Sequence, residues 1–353
     1  MSLWPIEPID PATAPEADLA GLHALAVALD VEALPGEPVA PLAHSVAAFR
    51  HRVPFQIRRD WVVRQGGARG EIVAHGTCSY RDVPENRHHA EIELAVHPEV
   101  RGLGLGTALL ARAVEAARRW RCTVLDFGAR VGGPGEPFLR SVGAERRLVD
   151  RRSRCRTAEV DRAQLEGWVR RAGERAAGYS LVGWDGACPD DLLAPFVTLK
   201  SVMNTAPLEA FDWDDDRMTA EQWRAEEALH AARGVDVWQL CARHDESGEL
   251  AGYTELAFPA SWPAACWQED TAVAPKHRDR GLGRWLKAVN ALRLLDERPA
   301  VEFIETWNAG SNEAMLNINV AMGFRPLENW GYWQAGAGEV AEAVARRRRA
   351  EAC

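Results

Sequence analysis

The sequence predicts an α/β fold built as two tandem domains, each a mixed sheet with helices on both faces. Three observations carry this. A stretch occurs twice, as VHPEVRGLGLG at 96–106 and as VAPKHRDRGLG at 273–283. Its two arginines, Arg101 and Arg278, lie half the 353-residue chain apart, the period of a duplicated domain rather than of a solenoid. Each copy is also preceded by hairpin signals and followed by an amphipathic helix.

Within the first copy, Pro5 and Pro8 confine the opening residues to an edge strand. PEADLAGLHALAVALDVEAL and PLAHSVAAFRHR carry apolar residues at helical spacing. RDWVVRQ and GEIVAHGTCSYRDV form a hairpin across a Gly-Gly turn. HHAEIELAV enters the repeated stretch, with His88 and His89 read as a solvated strand end. Ile92, Leu94 and Val96 share one face of that strand, Glu91 and Glu93 the other. A helix at 106–120, the strand TVLDFGA and a closing strand at 151–160 complete the domain. Residues 161–177 read as a helical linker. The second copy restarts at Tyr179 and repeats the order, with Thr219 and Gln222 forming a capping box. The expected domains are 1–160 and 178–336, followed by a charged tail, 337–353, with four adjacent arginines read as a solvated helix end.

The repeated loop is suited to hold a phosphate. A helix N-terminus presents unpaired N–H groups and the positive end of its dipole, and glycine lets the backbone come close to a ligand. Successive N–H groups form a concave anion site, which a flanking arginine reinforces. A dinucleotide fingerprint would need a third glycine where Thr107 and Arg284 stand, and a P-loop would need Gly-Lys-Ser/Thr; neither is present.

V-x-P-x-x-R-x-x-G-x-G followed by a leucine-rich helix resembles the acyl-CoA-binding motif of the GNAT superfamily of N-acetyltransferases, and the resemblance covers both halves. It implies that the loop amides hold the CoA pyrophosphate while the preceding strand pairs with pantetheine and polarises the acetyl carbonyl. The residues assigned to acetyl-CoA, or another short acyl-CoA, are Val96, Arg101, Gly102, Gly104, Gly106 and Thr107 in the first half. In the second they are Val273, Arg278, Asp279, Arg280, Gly281, Leu282, Gly283 and Arg284, with Asn308 and Asn312 on the pantetheine wall or capping a helix. The family's tyrosine, four residues before a Gly-Phe pair, is replaced by Leu139 and Asn319.

Composition narrows the partners. A net charge of −9 argues against nucleic acid and suits a small, cationic amine. Seven scattered cysteines without a C-x-x-C pair read as a reduced, cytoplasmic protein with no metal site. No apolar run is long enough to span a membrane.

N-acyl transfer needs a deprotonated amine, a polarised carbonyl and an aligned thioester. Counting back from the V-x-P proline makes Asp270 the first candidate base, Glu269 the second and Glu255 the third. Tyr253 and Tyr332 are candidates for the missing acid. Trp213, among Asp212, Asp214, Asp215 and Asp216, and Trp262 are placed near the acceptor. The second half is expected to do the chemistry and the first to be a degenerate partner, because GARVGGPGEP replaces NAGSNEAM and Gly143-Ala144 replaces Gly323-Phe324. The alternative is an acyl-CoA-binding sensor without catalysis.

Overall fold

The computed structural model describes residues 4–350. The elements run β1 (Ile6–Ile9), α1 (Glu16–Ala33), α2 (Leu42–Arg50), β2 (Gln56–Gln65), β3 (Glu71–Arg81), β4 (His89–Val96), α3 (Leu105–Arg119), β5 (Val124–Arg130), α4 (Gly135–Ser141) and β6 (Glu145–Arg156). The second half adds α5 (Arg162–Arg175), β7 (Tyr179–Asp185), α6 (Asp190–Lys200), α7 (Ala220–Ala232), β8 (Val235–His244), β9 (Leu250–Pro259), β10 (Ala265–Val273), α8 (Leu282–Glu297), β11 (Phe303–Ala309), α9 (Glu313–Ala321), β12 (Arg325–Gly336) and α10 (Ala337–Ala350). Thr219 and Gln222 form the expected capping box of α7.

The chain forms two compact units whose boundaries differ from the expected 1–160 and 178–336. Unit 1 comprises 1–149, 210–214 and 330–353; unit 2 comprises 150–209 and 215–329. The cause is an exchange of final strands. In unit 1 the edge of β5 is taken by the end of β12, with Phe127 opposite Trp333 and Val124 opposite Gly336. In unit 2 the edge of β11 is taken by the end of β6, with Phe303 opposite Arg156 and Ala309 opposite Asp150. Buried charge fixes the second register. Glu305 accepts from Arg152 (2.6 Å) and from Arg154 Nε (2.6 Å), and Arg152 also reaches Glu328 at 2.9 Å. A buried carboxylate left without these partners would be strongly destabilising, so any other register is disfavoured.

In each unit, adjacent strand residues send side chains to opposite faces. Val62 and Ile72 join Leu19, Leu22 and Leu25 of α1, whereas Val63 and Val73 join Leu105, Leu109 and Leu110 of α3. In unit 2, Cys241 packs with Phe196 of α6 and Trp223 of α7, while Ala242 packs with Leu282 and Leu286 of α8. Both sheets are therefore covered on both faces.

Two further expectations are corrected. Residues 161–177 are no free linker, because Leu165 and Trp168 of α5 are buried in the core of unit 2. The tail is no simple solvated end either, since Val340, Ala343 and Val344 of α10 belong to the core of unit 1. Its Arg346, Arg348 and Arg349 are exposed.

A fragment ending at residue 160 lacks both the strand that closes β5 and helix α10. We expect it to show no cooperative thermal transition and to bind a hydrophobic dye, whereas the full chain melts cooperatively. A cooperative transition in the fragment within a few degrees of the full chain would contradict the exchange.

Candidate active site

Both repeated stretches fold as strand, 3-10 turn, left-handed corner and helix. In unit 1, Gly102 and Gly104 take φ of 79° and 77° before α3 begins at Leu105. In unit 2, Asp279 and Gly281 take φ of 64° and 78° before α8 begins at Leu282. Asp279 thus stands in a corner that favours glycine or a short polar side chain. Gly106 and Gly283 differ from these, because they sit inside the first helical turn at ordinary φ. A Cβ there would lie 3.6 Å from Phe138 and 3.7 Å from Ile318, ordinary contact distances. Neither conformation nor packing demands glycine at these two positions, which leaves close approach of a ligand as the physical reason.

The arginines behave differently from a free anion clamp. Arg101 Nε donates to Val96 O, and its two terminal nitrogens hold Glu32 at 2.6 Å each, which keeps that carboxyl below its usual range. Arg278 Nε likewise donates to Val273 O (3.0 Å), and its terminal nitrogen reaches Thr205 Oγ1 at 2.7 Å. Both side chains therefore staple the strand exit to the loop. Beside α8 the exposed Arg280 and Arg284 lean on the rings of Tyr179 and Trp168, with no carboxylate partner among the described residues. In unit 1 a cleft of about 380 Å³ opens at the loop, lined by Leu94, Val96, Gly104, Thr107, Phe138 and Arg347.

The strands entering the loops part from their parallel neighbours. The β4–β5 ladder ends at Ile92 opposite Phe127, and the β10–β11 ladder at Trp267 opposite Glu305. Beyond these points each strand keeps its antiparallel partner on one side only. The free edge offers N–H and C=O groups to whatever enters the gap.

The two units differ on that edge. β3 and β4 pair in continuous register, with Thr77 opposite Glu93. β9 and β10 do not. Gln268 faces Leu256 and Thr271 faces Thr254, so Glu269 and Asp270 together oppose Glu255. This β-bulge doubles the carboxylate where β4 has only Glu93. It also breaks the strict alternation of side chains along β10, on which counting back from the proline relies.

Around the bulge lies a charged cluster. Lys200, at the end of α6, holds Glu255 at 2.8 Å and Asp270 at 2.6 Å, and Tyr253 donates to the same Asp270 oxygen (3.2 Å). Burial opposes charge on Lys200, but the two carboxylates outweigh it and raise its pKa well above the usual value. Glu255 is buried at 4% exposure and committed to Lys200. Burial pushes the Tyr253 phenol far up, so it keeps its proton. Glu269 is different. Its side chain is exposed to solvent, yet the surrounding protein and then the charges of Glu255 and Asp270 push it up to about 7. In unit 1, Glu91 is similarly pushed up to about 7 by burial and then by Glu93 and Asp126.

Other candidates are placed elsewhere. Asn312 caps α9 by accepting from Met315 N (3.2 Å), and Asn308 accepts from Asn319 at 2.6 Å. Tyr332 lies in unit 1, opposite Gly128, and so does not belong to the unit 2 cluster. Trp213, Asp212 and Asp214 belong to unit 1. Trp262 packs against Trp267 and Phe303. Far from being a solvated end, His89 is buried against Asp126. Lys200 escaped the sequence reading, although lysine is scarce here, with only three among 42 basic residues.

Residues 33–132 match the acetyltransferase (GNAT) family, a span that includes the first repeated loop. A mycothiol acetyltransferase of Tsukamurella paurometabola is 26% identical over 270 residues, covering 73% of this chain and 82% of the relative. A tandem GNAT protein from the clavulanic acid biosynthesis pathway superposes with a TM-score of 0.75 at 28% identity, covering 95% of this chain and 99% of that one. A GCN5-related N-acetyltransferase from Sphaerobacter thermophilus shares the fold, with a TM-score of 0.67 at 15% identity and coverage of 95% and 96%. Two glycine-cornered loops, each at the mouth of a parted pair of strands, thus stand in a chain whose residues 33–132 match the acetyltransferase (GNAT) family and whose fold is similar, along nearly its whole length, to that of a tandem GNAT protein.

Proposed function

We propose that unit 2 transfers an acyl group, acetyl in the first instance, from CoA to the amine of a small molecule by direct attack on the thioester. The bulge at Glu269-Asp270, set on the open edge of β10, is the observation that carries this reading. The pyrophosphate rests on the first turn of α8, with Arg280 and Arg284 beside it. Pantetheine enters between β10 and β11. A free N–H on the edge of β10 polarises the carbonyl.

Glu269 serves as the base. An alkylammonium near pKa 10 must lose its proton before attack, and a carboxylate pushed up to about 7 that solvent can still reach is matched to that step. The amine then bonds to the carbonyl carbon, the C–S bond breaks, and CoA leaves as the thiolate, which takes up the second proton released from the nitrogen. Asp270 is a positioning residue, held by Lys200 and Tyr253 so that its charge stays beside Glu269. This ordering departs from the first choice, Asp270, because that carboxylate already accepts from two donors, the half-buried Lys200 and the buried Tyr253. Unit 1 has one carboxylate where unit 2 has two, a tied Arg101 and an apolar cleft. We assign it acyl-CoA binding without turnover. The names of two relatives, a mycothiol acetyltransferase and a protein of the clavulanic acid biosynthesis pathway, support a small acceptor over a protein one.

Gly106→Asp and Gly283→Asp separate the units. Each new side chain has room, and an acidic residue in a first helical turn is favourable, so folding survives while phosphate is repelled. Acetyl transfer to a panel of amines should persist in the first variant and vanish in the second. Equal loss in both, or the reverse, would overturn the assignment.

Glu269→Gln should lower kcat by about 10²–10⁴-fold with little change in the KM for acetyl-CoA. In the wild type kcat should rise with pH through about 7, and that limb should be absent in the variant. A carboxyl whose folded pKa is raised costs stability as pH climbs from its unfolded value through about 7. The glutamine variant should therefore melt no lower than wild type at pH 8. If Asp270→Asn abolishes turnover and its pH limb while Glu269→Gln does not, the base is Asp270.

A further inference from the structure

At the start of β4, far along the strand from the loop, one ring nitrogen each of His88 and His89 and a carboxylate oxygen of Asp212 lie within 4.8 Å of one another. His89 is 3% exposed. Its Nδ1 lies 3.0 Å from Asp126 Oδ2, and its Nε2 is buried without a hydrogen-bond partner. The carboxylate fixes the tautomer, because Nδ1–H donates to Asp126 and the lone pair is left on Nε2. A buried nitrogen in that state loses the hydration it had in the unfolded chain and gains nothing in return. A carboxylate behind an imidazole is also the usual support of a metal-ligating histidine.

One buried glutamine aligns the parts. Gln334 Nε2 donates to Asp126 Oδ1 (2.8 Å) and to Asp212 O (2.9 Å), while its Oε1 accepts from Asp212 N (2.8 Å). The side chain that holds the carboxylate behind His89 therefore also sets the backbone of Asp212. His88 and Asp212 are exposed and can swing inward, whereas His89 is fixed.

We propose that His88, His89 and Asp212 bind one divalent transition-metal ion, zinc by preference. Two imidazoles and a carboxylate are borderline donors that suit zinc and its neighbours over magnesium or calcium. With bonds of about 2.05 Å a tetrahedral site needs ligand atoms about 3.3 Å apart, so the trio closes modestly and leaves the fourth position to water. His89 is seven residues from Val96, about 23 Å along the strand at ~3.3 Å per residue, so the site is apart from the CoA loop of its own unit. It lies in unit 1, to which the proposed function assigns no turnover, and the ion is therefore given a structural role. It clasps the 210–214 segment, which also exchanges hydrogen bonds with Asn86, onto unit 1.

Full-length protein freed of metal by a chelator and dialysis is titrated with Co²⁺, then with Zn²⁺. The expected result is one Co²⁺ per chain with visible d–d absorption that Zn²⁺ displaces, and a raised Tm. The double variant His88→Ala/Asp212→Asn alters only exposed side chains. Its metal-free Tm should match that of the wild type, and its affinity should fall more than that of Asp126→Asn, for which a loss of about 10–100-fold is expected. Acetyl transfer should be unchanged on removal of the metal. Absence of saturable one-to-one binding, or unchanged affinity in the double variant, would overturn the site. Loss of turnover on metal removal alone would overturn its structural role.

Discussion

The ladder between β10 and β11 stops at Trp267 and Glu305, and the proposed function depends on that stop. A sheet that stayed paired to its end would tie to β11 the amides of β10 that point away from β9, and would leave no edge for a ligand to pair with. Parting the strands exposes polar backbone, which is tolerable only where water or a ligand can satisfy it. The stop is secured from the other side. Glu305, the last residue of β11 paired to β10, is gripped by two arginines of β6, and β11 stays paired to β6 beyond it as far as Ala309.

The bulge complements this arrangement. One extra residue in β10 places two acidic side chains opposite Glu255, and three carboxylates in so small a volume could not remain charged together without a cation. Lys200 pairs directly with Glu255 and Asp270, whereas it acts on Glu269 only through its more distant charge. Environment rather than residue type thus divides three similar groups into a buried anchor, a held neighbour and a free group titrating near neutrality. Unit 1 has a regular strand with a single Glu93 at the same place, and its carboxyl near neutrality, Glu91, sits two residues further from the loop.

Much of this was legible in the sequence because it is written locally. Glycines, prolines and caps act within a few residues, so the two loops, their helices and the capping box at Thr219 could be read directly. What escaped depends on distant pairing. Strands β6 and β12 suit either neighbour equally well by pattern, and only the tertiary match of Glu305 with Arg152 and Arg154 decides. A one-residue bulge leaves no mark in composition, so counting back from the proline could not show that Glu269 and Asp270 together oppose Glu255. Lys200 reaches Asp270 from 70 positions away, and Asp212 reaches His89 from further still.

The exchange of final strands also sets the order of events during synthesis. When β5 leaves the ribosome its natural neighbour is still about 200 residues from being made. At about 5–20 residues per second that is a wait on the order of 10–40 s with an open sheet edge, a surface prone to pair with other chains. Unit 2 is the first that can close completely, because β6 has been made before β11 emerges. The half synthesised first is thus finished last, and its dependence on chaperones in a crowded cell should exceed that of its partner.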